Sequence, residues 1–308
     1  MKKRQIQDIA AAALLALATA GFVGADGNET KTAALLARLR QALGGEDKLA
    51  AVKGLTVEAD MRRVLPGEGS QPGSDMSGDI KLDIGGPSHY LFVDSFSPMP
   101  GFPPISIGSA IDGEAQWSGP LSAPSGPVMI RTAGSDPTQL RPRLEKDLTR
   151  LSIALLSGSG VPGIEFKYGG IVESPDGRAE VLEVKGPGGF EGSLYLDEKT
   201  ARPMMIVYQE AARRMTMRRE GPGARPIAAG HTDIAAPSSG SHEGNPGAPS
   251  GTAEMKEARM FLSDYKTANG ISFPHAITIK VQDGQTEEWT VQKVKINPAF
   301  GADHFKKR

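Results

Sequence analysis

The reactive side chains are few in kind: 5 histidines, 36 aspartates and glutamates and no cysteine in 308 residues. Without cysteine there is no thiolate nucleophile, no iron-sulfur cluster, no cysteine-bound zinc and no disulfide. His89, His231, His242, His275 and His304 never stand three or four positions apart, the spacing that sets two imidazoles on one helical face for a metal. His231 and His242 lie in a Gly- and Pro-rich stretch that offers a metal no fixed geometry. His275 follows Pro274 at the head of a strand, where a hydrogen-bonded structural role is expected rather than proton transfer. Glu287 and Glu288 are neighbours, so on a strand they point to opposite faces and cannot share one proton; they read as solvated or edge residues. Gly158-Ser159-Gly160-Val161-Pro162-Gly163 spells the dinucleotide fingerprint. That motif needs a strand before it and a helix after it, so that phosphate meets a helix N-terminus. Here a leucine-rich helix precedes it and Pro162 interrupts it, which makes it a helix stop. No Ser-His-Asp or Gly-x-Ser-x-Gly arrangement is recognisable. The expectation is a protein that is not an enzyme and holds no metal or cofactor.

Charge narrows the partners. With 35 Lys and Arg against 36 Asp and Glu the formal net charge is -1, so no overall field exists to hold a polyanion, and nucleic acid is not an expected partner. Lys2, Lys3 and Arg4 precede an apolar run from Ile9 to Val23, and Val23-Gly24-Ala25 supplies small residues at a cleavage site. Residues 1–25 read as a secretory signal peptide, with the mature chain beginning at Asp26. The run is too short and too rich in Ala and Gly for a permanent membrane anchor, which needs about 20 apolar residues. A periplasmic protein without an anchor is expected.

Residues 26–308 read as a single domain. Leu35, Leu36, Leu39 and Leu43 follow helical spacing up to Gly44-Gly45, and a second short helical turn covers Glu46 to Val52. Leu55, Val57, Ala59 and Met61 then alternate with polar residues, the signature of a half-buried strand. The same period of two returns at Ile80, Leu82 and Ile84, at Phe166 and Tyr168, at Leu182 and Val184, and at Leu194 and Leu196. Many short strands separated by Gly, Pro and Asp turns predict an antiparallel sheet. One segment differs: Leu140, Leu144, Leu148, Leu151 and Leu155 recur at steps of three and four, predicting an amphipathic helix laid across one sheet face. From Gly221 to Gly251, 22 of 31 residues are Gly, Pro, Ser or Ala. This stretch is expected to be a disordered loop inserted between strands and dispensable to folding.

Tyr90 to Val93 and Met204 to Tyr208 are continuous apolar runs, where a sheet with one wet face would alternate. Either these strands are buried between a helix and a second layer, or they line an apolar cavity on the inner face of a curved sheet. On the cavity reading Tyr90, Phe92, Met205 and Val207 are the candidate ligand-binding residues. The parity of each strand stays open.

Three segments resemble one family. Ala37-Arg38-Leu39-Arg40-Gln41-Ala42-Leu43-Gly44-Gly45 running into Leu55-Thr56-Val57-Glu58, the turn Leu194-Tyr195-Leu196-Asp197-Glu198-Lys199-Thr200, and Asp264-Tyr265 through Asn269-Gly270-Ile271 to Pro274 with Ile296-Asn297-Pro298 and Phe305 are similar to the LolA-like periplasmic lipoprotein carriers and outer-membrane lipoprotein-sorting proteins. The resemblance implies an α+β fold: a strongly curved antiparallel sheet, an unclosed half-barrel, with a few helices covering its mouth. In the carriers an apolar cavity takes acyl chains. An arginine that the carrier has before a proline on an early strand corresponds here to Gly86 before Pro87. The implied function is non-catalytic binding of a lipid or of the acyl part of a lipoprotein. The alternative is an interaction module with a filled core, whose partner is another envelope protein.

Overall fold

The structure is a computed structural model that describes residues 25–66, 73–97, 103–121, 128–132, 137–174, 177–211, 215–219, 226–229 and 255–307. The expected export segment lies outside them, apart from Ala25. Two helices come first, α1 (Ala25–Leu43) and α2 (Glu46–Ala50). Leu35, Leu39 and Leu43, spaced by four, are buried on one side of α1. Gly44 ends that helix at φ +133, and a Cβ there would collide with the Gly270 carbonyl.

The strands follow as β1 (Leu55–Leu65), β2 (Ser74–Ile84), β3 (His89–Phe96), β4 (Ile105–Asp112), β5 (Ala115–Pro120) and β6 (Val128–Thr132). After the helix α3 (Pro137–Leu156) come β7 (Glu165–Ser174), β8 (Gly177–Gly186), β9 (Phe190–Asp197), β10 (Pro203–Ala211), β11 (Met215–Arg219) and β12 (Pro226–Ala229). The chain finishes with β13 (Met255–Ala268), β14 (Ile271–Val281) and β15 (Thr286–Ile296). Twelve strands form one antiparallel sheet in the order β5-β4-β3-β2-β1-β15-β14-β13-β10-β9-β8-β7. Strands β12, β11 and β6 form a second, small sheet. Among the described residues the large sheet has two unpaired edges, β5 and β7, and does not close into a barrel. α3 touches β4 and β5 near one edge and β9 near the other. Eight strand spacings separate β4 from β9, about 38 Å if the sheet were flat, while a 20-residue helix is about 30 Å long and 10 to 12 Å wide. The sheet therefore curls around α3, giving the unclosed α+β half-barrel that the motifs imply.

Register carries one apolar face from β3 to β8. Phe92 pairs with Leu82 and Leu82 with Val57; Met61 pairs with Trp289, Trp289 with Ile277 and Ile277 with Leu262. Met260, Ile206, Leu194 and Leu182 continue it. Leu144, Leu148, Leu151 and Leu155 of α3 fill this concave side and are all buried. From Leu148 to Leu156 every residue of the helix is buried, so its second half is core all round, whereas a surface helix would keep one wet face.

The two continuous apolar runs have different explanations. Leu91 and Val93 point to the convex side, where Ala110, Trp117, Phe300 and Phe305 pack against them. The Trp117 Nε1 donates to the Phe305 carbonyl at 2.8 Å, and His304 Nε2 lies 2.9 Å from Oδ2 of the fully buried Asp83. The C-terminal segment is thus the second layer for β3. The run Met204 to Tyr208 lies within β10 of the large sheet, and the chain then passes into β11 of the small one. Within Gly221 to Gly251, Pro226–Ala229 form β12 and pair with β11; residues 221–225 and 230–251 lie outside the described residues. No helix among the described residues is long and apolar enough to cross a membrane.

Asn297 clamps the end of β15 to the start of β1. Its Oδ1 accepts from the Lys53 and Gly54 amides at 2.6 and 3.2 Å, and its Nδ2 donates to the Ala51 carbonyl at 3.0 Å. The residue sits at φ +53, a region open to Asn at small cost and strained for Ala. Asn297→Ala is expected to lower stability by about 2 to 3 kcal/mol, measured by urea unfolding. Asn297→Gly, which relieves only the backbone strain, should lose less.

Candidate functional site

The apolar concave face ends in charge. Arg63 shares the parity of Leu55, Val57, Ala59 and Met61, so it turns inward, and it stands directly opposite Glu287 in the β1–β15 register. Its Nε donates to Glu287 Oε2 at 2.7 Å and its Nη2 to Asp94 Oδ2 at 2.8 Å. Trp289 Nε1 donates to the other oxygen, Glu287 Oε1, at 2.6 Å, and the guanidinium lies 5.8 Å from the centre of the Phe96 ring. Burial works against the Arg63 charge, and Glu287 and Asp94 together outweigh it, holding the guanidinium above its ordinary pKa.

A second cluster faces the first from α3. Arg150 Nη1 donates to the Tyr208 hydroxyl and reaches Glu210 Oε2 at 3.5 Å, while Nη2 donates to Asp147 Oδ1 at 3.0 Å. The Tyr208 hydroxyl in turn donates to Glu210 Oε2 at 3.2 Å. Arg150 also lies over the Tyr208 ring, 4.9 Å from its centre. Tyr208 and Glu210 are on β10 and share the inward parity of Ile206. These contacts tie α3 to the sheet.

Between the clusters is a cleft lined by Tyr90, Phe92, Ile279, Val281 and Trp289 on its apolar side and by Asp147, Arg150, Glu210, Asp283 and Glu287 on its polar side. Lys256 pairs with Asp283 at the rim at 3.2 Å. The cleft volume is about 40 Å³, room for one or two waters and not for an acyl chain.

Of the four candidate residues, Tyr90 and Phe92 line this cleft. Met205 and Val207 do not share its face. Met205 pairs with Phe261 and Tyr195, and Val207 with Arg259 and Ser193, which puts both on the convex side; Ile206 and Tyr208 take the inward positions. The cause is that both faces of β10 are buried, Met205 at 4% and Ile206 at 0% exposure, so hydropathy gives no parity there. Glu287, read as solvated, is only 8% exposed and holds Arg63; Glu288 does point the other way, toward Arg62. Sequence reasoning missed Arg63, Asp94, Asp147, Arg150 and Glu210. The signal for Arg63 was an arginine in phase with four core residues; the others had none. His275 Nδ1 lies 3.1 Å from the Phe273 carbonyl, a structural contact. Among the described residues no group of three His, Asp or Glu side chains could hold a metal.

No family model matches the chain, and no curated protein matches it. Solved structures to which it is similar include a LolA superfamily protein from Nitrosomonas europaea, 9% identical over 90% of this chain and 98% of that one, with a TM-score of 0.44. An outer-membrane lipoprotein-sorting protein domain from Vibrio parahaemolyticus is 11% identical over 91% of this chain and 98% of that one, with a TM-score of 0.38. A DUF1329 family protein from Desulfovibrio piger is 11% identical over 89% and 97%, with a TM-score of 0.39.

Proposed function

We propose that this is a non-catalytic periplasmic protein that takes the acyl part of a lipid or lipoprotein between α3 and the concave face of the sheet, with Tyr90 and Phe92 in the wall of the cleft. The observation that carries this reading is the cleft itself. A continuous apolar face runs from β3 to β8, α3 packs against it, and the cleft opens where Phe92, Trp289 and Ile279 reach the charged edge of α3. Polar attachment of α3 to the large sheet runs through Arg150 and through Arg141, whose Nη1 donates to the Gly113 carbonyl at 2.7 Å. An acyl chain must displace leucines of α3 to enter, since the closed cleft holds only about 40 Å³.

That same volume favours a second reading, an envelope interaction module whose core is filled and whose partner is another protein. Organic extraction of protein purified from its native envelope, followed by mass spectrometry, separates the two. Stoichiometric acyl lipid is the expected result; lipid-free protein that refuses added lipid would leave the interaction module standing.

A further inference from the structure

We propose that the small sheet is a clasp beside the cleft, and that its β6–β11 pairing must part for an acyl tail to enter; the proposal rests on the acyl-binding reading above and adds the element that controls entry. Connectivity is the first observation. β6 follows β5, the first strand in the order of the large sheet, and β11 follows β10, the ninth. Pairing β6 with β11 therefore ties together two strands that stand eight places apart in one sheet. β6 and α3 also lie on a single crossover, from the β5 edge to the β7 edge. While β6 is paired, the helix that packs on the concave face is held in the middle of that crossover as well as at its two ends.

Placement is the second. β10 ends at Ala211, next to Glu210 of the cleft lining, and four residues reach at most about 14 Å, so β11 begins close to that wall. β5 ends at Pro120, which pairs with Ile107, and Ile107 pairs with Asp94, the partner of Arg63. Both chain segments that lead into the small sheet thus leave the large sheet beside the two charged clusters. Thr132, opposite Met215, is at most about 18 Å from the start of α3 at Pro137.

The third is how little holds the clasp. Its strands have 4 or 5 residues, against 6 to 14 in the large sheet. Short sheets of two or three strands are marginal unless an apolar face is covered, and such units open before the rest of a fold. Register puts Val128, Ile130, Met215, Met217, Ile227 and Ala229 on one face of the small sheet. The closed cleft holds only about 40 Å³, so entry of an acyl tail requires an opening, and the β6–β11 pairing is the weakest link that crosses it.

The chain has no cysteine, so an introduced pair forms the one possible disulfide. Ile130 stands opposite Met217 and Arg131 opposite Thr216. Opposed residues of an antiparallel pair have Cα atoms about 4.5 to 5.5 Å apart, within disulfide reach. Two double variants, Ile130→Cys/Met217→Cys and Arg131→Cys/Thr216→Cys, include one pair of each spacing. Quenching of tryptophan fluorescence by 12-bromododecanoate below its micellar concentration reads binding, because Trp289 lines the cleft. Reduced variants are expected to bind at the rate of the parent chain, and oxidised ones at least tenfold more slowly, with recovery on adding dithiothreitol. Hydrogen exchange supplies a readout without ligand: oxidation should slow exchange of the α3 amides at least tenfold. Oxidised protein that binds as fast as reduced protein overturns the clasp and leaves acyl binding intact. If neither form binds 12-bromododecanoate, the acyl reading fails, and α3 exchange decides the clasp: slowed exchange upholds it and unchanged exchange overturns it. Failure of both cysteine pairs to oxidise overturns the β6–β11 pairing itself.

Discussion

Arg63→Ala will destabilise the folded chain by about 3 to 5 kcal/mol, because it removes the cation that the buried Glu287 and the half-buried Asp94 share. Glu287 and Asp94 meet Arg63 at 2.7 and 2.8 Å, with side chains only 10% and 14% exposed. Removing the guanidinium therefore loses two charge-assisted hydrogen bonds and the attraction that it exerts on both carboxylates. A loss of this size is a large part of the total stability of an ordinary domain, about 5 to 15 kcal/mol. Urea unfolding measures it. The companion variant Arg63→Met/Asp94→Leu/Glu287→Gln removes the charges together while keeping an acceptor for Trp289 Nε1, and it should recover at least half of the loss. A cost below about 1 kcal/mol for Arg63→Ala would mean that water reaches these carboxylates.

The second large effect separates neighbouring residues on β10. Ile206 is fully buried between Met260 and Leu194 on the concave face. Ile206→Asp puts a carboxylate where no partner stands and is expected to unfold the protein or to cost at least about 4 kcal/mol. Val207 is half-buried on the convex face, opposite Arg259 and Ser193. Val207→Asp gains a cation and a hydroxyl as neighbours and should cost about 1 kcal/mol or less. Thermal melts of the two variants side by side read the difference. Equal tolerance of both would show that β10 is not held in the register that this structure gives it.

The segments legible beforehand are those whose signal is local. Leu55, Val57, Ala59 and Met61 alternate with exposed or polar neighbours, and that alternation is what β1 buries. The leucines of α3 recur at helical spacing, and all but the first are fully buried. Gly44-Gly45 and the Asp197 turn are chemistry of a few consecutive residues; Asp197 Oδ1 accepts from the Lys199 and Thr200 amides at 3.1 and 2.6 Å. An antiparallel sheet crossed by one amphipathic helix follows from such periods alone, because each apolar stripe needs a cover.

The site is different in kind. Arg63 and Glu287 are 224 residues apart in the chain, and Arg150 and Tyr208 are 58 apart. No local period links such residues. They meet because β15 returns beside β1 and because the sheet curls until α3 reaches strands near both edges. Face assignment in β10 waited on the same event: where both sides of a strand are covered, a shift of one residue leaves the hydropathy pattern unchanged while it exchanges Ile206 for Val207 in the core. Local periodicity was enough to name the elements and the apolar face they share. Which charged residues close that face, and which side of each strand looks inward, came from long-range register, since pairing geometry acts between strands and not along them.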